Sequence, residues 1–180
     1  MAKTTQIMDD KTIERSIVRI SHEIVEKNKG AKDIVLVGIR TRGVYIAERI
    51  VKHIKDIEKA DVPLGALDIT FYRDDLNLRE VQPQVKKTEI NFDIEEKIVV
   101  LVDDVVFSGR TIRAAFDALM DFGRPAKIQL AVLVDRGHRE LPIRPDYVGK
   151  NIPTAKDEIV KVHLKEIDKK DEIVLIGNEK

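Results

Sequence analysis

Three runs dominated by apolar residues, many of them β-branched, constrain this chain most: IVLVGI at 34–39, KIVVLV at 97–102 and IQLAVLV at 128–134. A strand without polar alternation is covered on both faces. Between the runs the spacing becomes helical. Ile46, Ala47, Ile50, Val51, Ile54 and Ile57 predict a helix over about 44–58. Ile112, Ala115, Phe116 and Leu119 predict another over about 111–122, ended by Gly123 and Pro125. An opening helix is expected over about 10–28. Ile13, Ile17, Ile20 and Ile24 share its inner face, Asp9 or Asp10 can cap it and Gly30 can stop it. Strands alternating with helices imply right-handed crossovers and a parallel sheet. The expected fold class is α/β, a central mostly parallel sheet flanked by helices, in a single domain spanning 1–180. Further strands are expected near 64–71, 158–164 and 173–176. Residues 73–91 are mostly polar, hold Pro83 and show no period, so they read as a long loop of the kind that is usually functional or mobile.

The totals exclude several roles. Lys plus Arg and Asp plus Glu both number 32, so the formal net charge is zero and any nucleic-acid site must be a local patch. The absence of cysteine removes disulfides and thiolate metal sites. The opening MAKTTQIMDDK has no apolar signal core, and no apolar run nears the roughly 18 residues of a spanning helix. A cytoplasmic location is expected. The Lys and Glu content fits a thermophile or an AT-rich genome equally well.

Open parallel sheets bind ligands at the carboxyl ends of their strands. There the chain concentrates its charge: RTRG (40–43) after the first run, DD (103–104) after the second, DRGH (135–138) after the third. Asp103 and Asp104 need partners, because an unpaired buried carboxylate is costly. The turn that follows is rich in small residues, Ser108, Gly109 and Thr111. Its backbone N–H groups face one spot before a positive helix end, which makes a phosphate cradle. The carboxylates beside it can accept from the vicinal hydroxyls of a sugar. Together these residues suit a ribose 5-phosphate. Two other readings compete: a solvated strand end with an N-cap, and a Mg²⁺-binding acid of the Walker B kind. The second lacks its GxxxxGK[ST] partner. Arg40 and Arg42 flank a short turn and suit a diphosphate through charge-assisted hydrogen bonds, or else are solvated arginines at an ordinary turn.

The segment VVLVDDVVFSGRT resembles the phosphoribosyl pyrophosphate (PRPP) motif of type I phosphoribosyltransferases: four apolar residues, two acids, small and apolar residues, then [ST]-G-x-T. The opening helix, GIRTRGVYIAERI, DITFYRDDL and GRPAKIQLAVLVDRGHRELPIRPDYVGKNIPT extend the likeness over nearly the whole chain. They resemble those members that are uracil phosphoribosyltransferases and also regulate pyrimidine operons by attenuation. The resemblance implies the type I phosphoribosyltransferase fold, with a small hood and a flexible loop. It makes Asp103 and Asp104 the catalytic pair, with Val105, Val106, Phe107, Ser108, Gly109, Arg110 and Thr111 around the nucleotide. Arg40, Thr41, Arg42 and Gly43 become the diphosphate loop, where the family often has a non-proline cis peptide. Residues 73–88, with Arg73, Asp74, Asp75, Arg79, Lys86 and Lys87, become the lid, although a disordered surface loop would look the same. Arg136 and its neighbouring backbone would meet the pyrimidine, and Val160 would pack over its ring. His138 reads as structural. The implied partners are PRPP, uracil, UMP and an mRNA leader stem-loop, with Mg²⁺ held mainly through PRPP. A homo-oligomer, dimer or larger, is implied as well.

Arg15, Arg19 and His22 stand at i, i+4 and i+7, on one helix face opposite the isoleucines. Alone, that is an ordinary solvated face. The resemblance makes it an RNA surface, with Arg139, Arg144 and Lys150 expected to extend it. Aromatic residues are only 4% of the chain, so recognition by shape and phosphate is expected over base stacking. A purine phosphoribosyltransferase, or a regulator that kept the site and lost turnover, would share the same motif.

Overall fold

The computed structural model describes residues 2–75 and 85–178. The three apolar runs are the parallel strands β2 (Ile34–Ile39), β4 (Ile98–Val106) and β5 (Lys127–Asp135). With β3 (Leu64–Leu67) and β6 (Tyr147–Asn151) they form a parallel five-stranded sheet in the order β3-β2-β4-β5-β6. β2 runs alongside β4 with Val35 opposite Val99 and Gly38 opposite Val102. β4 runs alongside β5 with Leu101 opposite Leu130 and Asp103 opposite Val132. Every residue of β2 is buried, as its lack of alternation required.

Helices α1 (Asp10–Lys27) and α2 (Arg42–Glu58) cover one face of the sheet, and α3 (Arg110–Met120) covers the other. Ile13, Ile17, Ile20 and Ile24 of α1 pack with Ile46, Ile50 and Ile54 of α2 and with Leu36, Val100 and Val102 from the sheet. On the opposite side Ile112, Ala115 and Leu119 meet Val99, Leu101 and Val132. Each fully buried aliphatic side chain stabilises the fold by about 1.5–3 kcal/mol. Asp9 caps α1: its Oδ1 accepts from Thr12 N at 2.8 Å. Past the helix Gly30, at φ 114°, donates to Val25 O at 2.9 Å. The buried Gln129 amide is satisfied by Asn28 at 2.9 Å and Tyr147 at 2.8 Å, which joins the end of α1 to β5 and β6. No helix among the described residues is long and apolar enough to cross a membrane.

A second sheet, antiparallel in the order β1-β8-β7, forms the hood: β1 (Ala2–Met8), β7 (Ile159–His163) and β8 (Glu172–Asn178), with the short α4 (Lys165–Asp168) joining the last two. Several expectations change here. β1 and β6 were not expected. The strand placed at 64–71 stops at Leu67, because the Asp68 carboxylate turns to accept Thr70 N at 2.9 Å and starts a 3-10 turn over Thr70–Tyr72. β4 does not end before its acids. It runs through Val106, so Asp103 and Asp104 lie inside the strand.

Candidate active site

The strand order creates the site. From β2 the chain crosses through α2 to β3 on one side, and from β4 it crosses through α3 to β5 on the other. The carboxyl ends of β2 and β4 therefore part, and such a switch point is where open α/β sheets bind ligands. RTRG leaves β2 there, and the acids with their turn leave β4.

Asp103 is 8% exposed, and Asp104 is partly buried beside it. Asp103 Oδ1 accepts the backbone N of Asp104 at 2.9 Å, and Asp104 Oδ1 accepts the backbone N of Val105 at 2.7 Å. Burial, then the neighbouring Asp104 charge, pushes the Asp103 carboxyl well above the ordinary carboxylate range. Burial also raises Asp104, against the Val105 N–H and the nearby Arg42 charge. The pair is a concentration of acceptors held in a place that disfavours its own charge.

The turn beyond β4 reaches α3 through Gly109, at φ 94°, which supplies no side-chain cap. The first amides of a helix have no intrahelical partner, so an uncapped N-terminus offers them to an anion. A cavity of about 250 Å³ opens here. It is lined by 105–112, which include Val105, Val106, Phe107, Ser108, Gly109, Arg110 and Thr111, and by Arg73, Asp74 and Asp75. Arg110 pairs with Asp74 at 2.5 Å and with Glu140 at 2.7 Å, and Arg73 with Asp75 at 2.8 Å.

Across the switch point, the Arg40–Thr41 peptide is cis. α2 starts at Arg42, two residues before the expected boundary. Gly43 explains how α2 comes so close: a Cβ there would lie 2.3 Å from Val102 O and 3.2 Å from Asp103 Cα. The diphosphate-loop candidates thus rest on the backbone of the strand that carries the acids. Arg40 donates to Lys87 O at 2.7 Å and pairs with Glu89 at 3.1 Å. Arg42 pairs with Asp168 of α4 at 3.2 Å, a contact that the sequence did not signal. Lys86 Nζ donates to Thr41 Oγ1 at 2.6 Å. One root of the expected lid therefore meets the 40–43 turn and the other meets the α3 turn. Residues 76–84, Arg79 and Pro83 among them, lie outside the described residues.

At the end of β5, Arg136 is 8% exposed, and its guanidinium lies 4.1 Å from the centre of the Phe107 ring. Its Nε donates to Thr154 Oγ1 at 3.2 Å and its Nη2 to Ala155 O at 3.0 Å. Arg136 thus braces the loop after β6. His138 lies edge-on to Phe107, with ring centres 6.0 Å apart. Val160 lies on β7 in the hood, partly buried against the first core. Sequence reasoning missed Thr154 as the partner of Arg136.

Arg15, Arg19 and His22 are all exposed on α1, on the face away from its isoleucines. Arg19 donates to Gly149 O at 2.6 Å and to Val148 O at 3.2 Å, which ties the helix to the β6 edge. Lys150, on the same edge, donates to Ile7 O at 3.3 Å. Arg139 and Arg144 lie on the loop after β5, whose Ile143 packs on the α3 side of the sheet while its Asp146 pairs with Lys27 at the end of α1 at 2.6 Å. Arg139 is spent inside that loop, with Ile143 O at 2.8 Å, Phe107 O at 2.9 Å and Asp135 at 2.5 Å.

Comparison with known proteins agrees with this geometry. The family model described as "Phosphoribosyl transferase domain" matches residues 3–167. Among solved structures, the hypoxanthine phosphoribosyltransferase of Trypanosoma cruzi superposes with a TM-score of 0.73 at 20% identity, over 97% of each chain. That of Staphylococcus aureus superposes with a TM-score of 0.69 at 21% identity, over 98% of this chain and 92% of its own. Among curated proteins, "Bifunctional protein PyrR" of Alkaliphilus metalliredigens is 61% identical over 99% of this chain and 98% of its own. Its namesake in Thermoanaerobacter sp. is 63% identical over 94% and 96%, and that of Clostridioides difficile 59% over 97% and 99%. By family model, fold and these relatives, the chain belongs to the phosphoribosyl transferase domain family, on the branch of the bifunctional PyrR proteins.

Proposed function

We propose that the chain transfers the phosphoribosyl group of PRPP to uracil, giving UMP and diphosphate. We further propose that it binds a stem-loop in the mRNA leader of pyrimidine operons, more tightly when UMP occupies the site. One observation carries the reading: Asp103 and Asp104 stand at the switch point, between the uncapped start of α3 and the arginines of the 40–43 turn. The α3 turn takes the 5-phosphate, the acids accept the ribose hydroxyls, and Arg40 and Arg42 receive the diphosphate.

In the reaction, N1 of uracil forms a bond to the anomeric carbon while the bond from that carbon to the diphosphate oxygen breaks. N1 loses its proton, and the electron pair leaves with the diphosphate. The acids sit where positive charge grows on the sugar, so their field favours the transition state over the substrate. The segments 73–75 and 86–89 flank both anion turns, where they would help to keep water from the cationic carbon. Arg136 has its polar edges turned to Thr154 and Ala155, so it shapes the base side, with Val160 on the hood.

Mg²⁺ fits as a companion of PRPP. PRPP oxygens would hold the ion mainly, beside the hard carboxylate oxygens of Asp103 and Asp104 and close to the Arg42 turn. When bound, the ion neutralises charge on the leaving diphosphate. The reading places the protein in the cytoplasm, as one domain and as a homo-oligomer. Phe71, Met120 and Phe122 support association, being 71%, 51% and 43% exposed, with Tyr72 hydrogen-bonded to Asp121 between them.

Release of diphosphate from PRPP separates the enzymatic readings. Release with uracil and none with hypoxanthine is expected. Release with hypoxanthine would make the chain a purine enzyme, and none with either would leave a regulator without turnover.

A further inference from the structure

Arg42 is held unequally. Its Nη2 lies 3.2 Å from both carboxylate oxygens of Asp168. Its Nε is buried without a partner among the described residues. A buried donor left unpaired is disfavoured, so the Asp168 contact is what holds this guanidinium in place. The anchor is itself rigid: Asp168 Oδ2 also accepts the backbone N of Leu164 at 2.9 Å. Seven residues along the same helix, Arg49 pairs with Glu166 at 2.6 Å and with Asp171 at 2.9 Å. Asp171 in turn accepts the backbone N of Lys165 at 2.8 Å. Two arginines on one face of α2 therefore clamp the α4 turn of the hood. The first of them opens the helix beside Asp104.

We propose that Asp168 is a positioning residue for PRPP, holding Arg42 so that its guanidinium charge, already beside Asp104, meets the diphosphate. This rests on the reading of the 40–43 turn as the diphosphate loop. The hood then does more than cover the base: it fixes the group that grips the leaving end. A bidentate or forked guanidinium contact depends on orientation, so a loosened Arg42 should bind the diphosphate poorly while keeping its charge. UMP has no diphosphate, so its binding should not need the clamp.

Titration of the whole protein with Mg²⁺-PRPP and, separately, with UMP tests the assignment. Asp168→Asn keeps an acceptor for Leu164 N and removes the charge. It is expected to weaken PRPP about tenfold while UMP stays within about twofold, with the KM for uracil unchanged. Asp168→Glu should recover part of the loss. In Arg42→Ala, adding Asp168→Asn should cost nothing further. Equal weakening of PRPP and UMP would mean that the hood had merely come apart, and would overturn the proposal. So would a full additive loss in the double variant, or an unaffected Asp168→Asn beside an impaired Arg42→Ala. If Arg42→Ala itself binds PRPP like the wild type, the diphosphate-loop reading fails, and this proposal with it.

Discussion

At the scale of single residues, burial makes Asp103 and Asp104 costly to ionise. Burial raises both carboxyls above their ordinary range. The folded chain then binds more protons than the unfolded chain between the free-carboxylate pKa of about 4 and the raised value. Stability contributed by these groups is full below that window and falls as pH rises through it. Asparagine at 104 keeps the acceptor for Val105 N and avoids burying a charge. Asp104→Asn should therefore lower kcat/KM by roughly 100-fold while the thermal midpoint at pH 7 holds or rises. Steady-state kinetics and calorimetry on the same sample check both halves. Wild-type kcat/KM, or a melting point that falls with activity, would contradict the assigned role. The acids stood out as a candidate site because a doublet at the end of an apolar run has no packing reason. Their position inside β4 was not legible, because strand pairing to Val132 and Val134 of β5 carries the backbone past them.

Among the elements, legibility followed burial. β2, β4 and β5 could be read directly, since covering both faces demands continuous apolar residues. β1, AKTTQIM, could not, because its pairing with β8 uses backbone groups and leaves most of its side chains exposed. β6, YVGKN, has only two apolar residues and an edge position. Arg42 and Asp168 lie too far apart in the chain for local pattern to join them. The seating of α2 on β4 gives a test at this scale. Gly43→Ala would put a methyl 2.3 Å from Val102 O, and forcing α2 outward should destabilise the fold by about 1–3 kcal/mol. PRPP binding should weaken as well. Denaturant unfolding with unchanged midpoint would show that the close approach is dispensable.

For the molecule as a whole, the layers separate the two proposed activities. The proposed nucleotide site opens where β2 and β4 part, whereas Arg15, Arg19 and His22 face outward from α1. The hood lies against both, because Arg15 lines a shallow pocket with Lys165 and Asp171, beside the α4 turn that holds Arg42. If UMP tightens RNA binding, RNA must tighten UMP binding by the same factor. Titrating leader RNA at fixed salt with and without UMP should show tighter binding with it, by about 5- to 150-fold. Equal affinities would remove the sensing role and leave the transfer reaction standing. Every part of the account still depends on where the sugar phosphate lies, and difference density from a crystal soaked in UMP decides that directly. Phosphate is expected on the backbone of 108–111 and the ribose hydroxyls on Asp103 and Asp104. Nucleotide density elsewhere, with the α3 turn left to solvent, would contradict it.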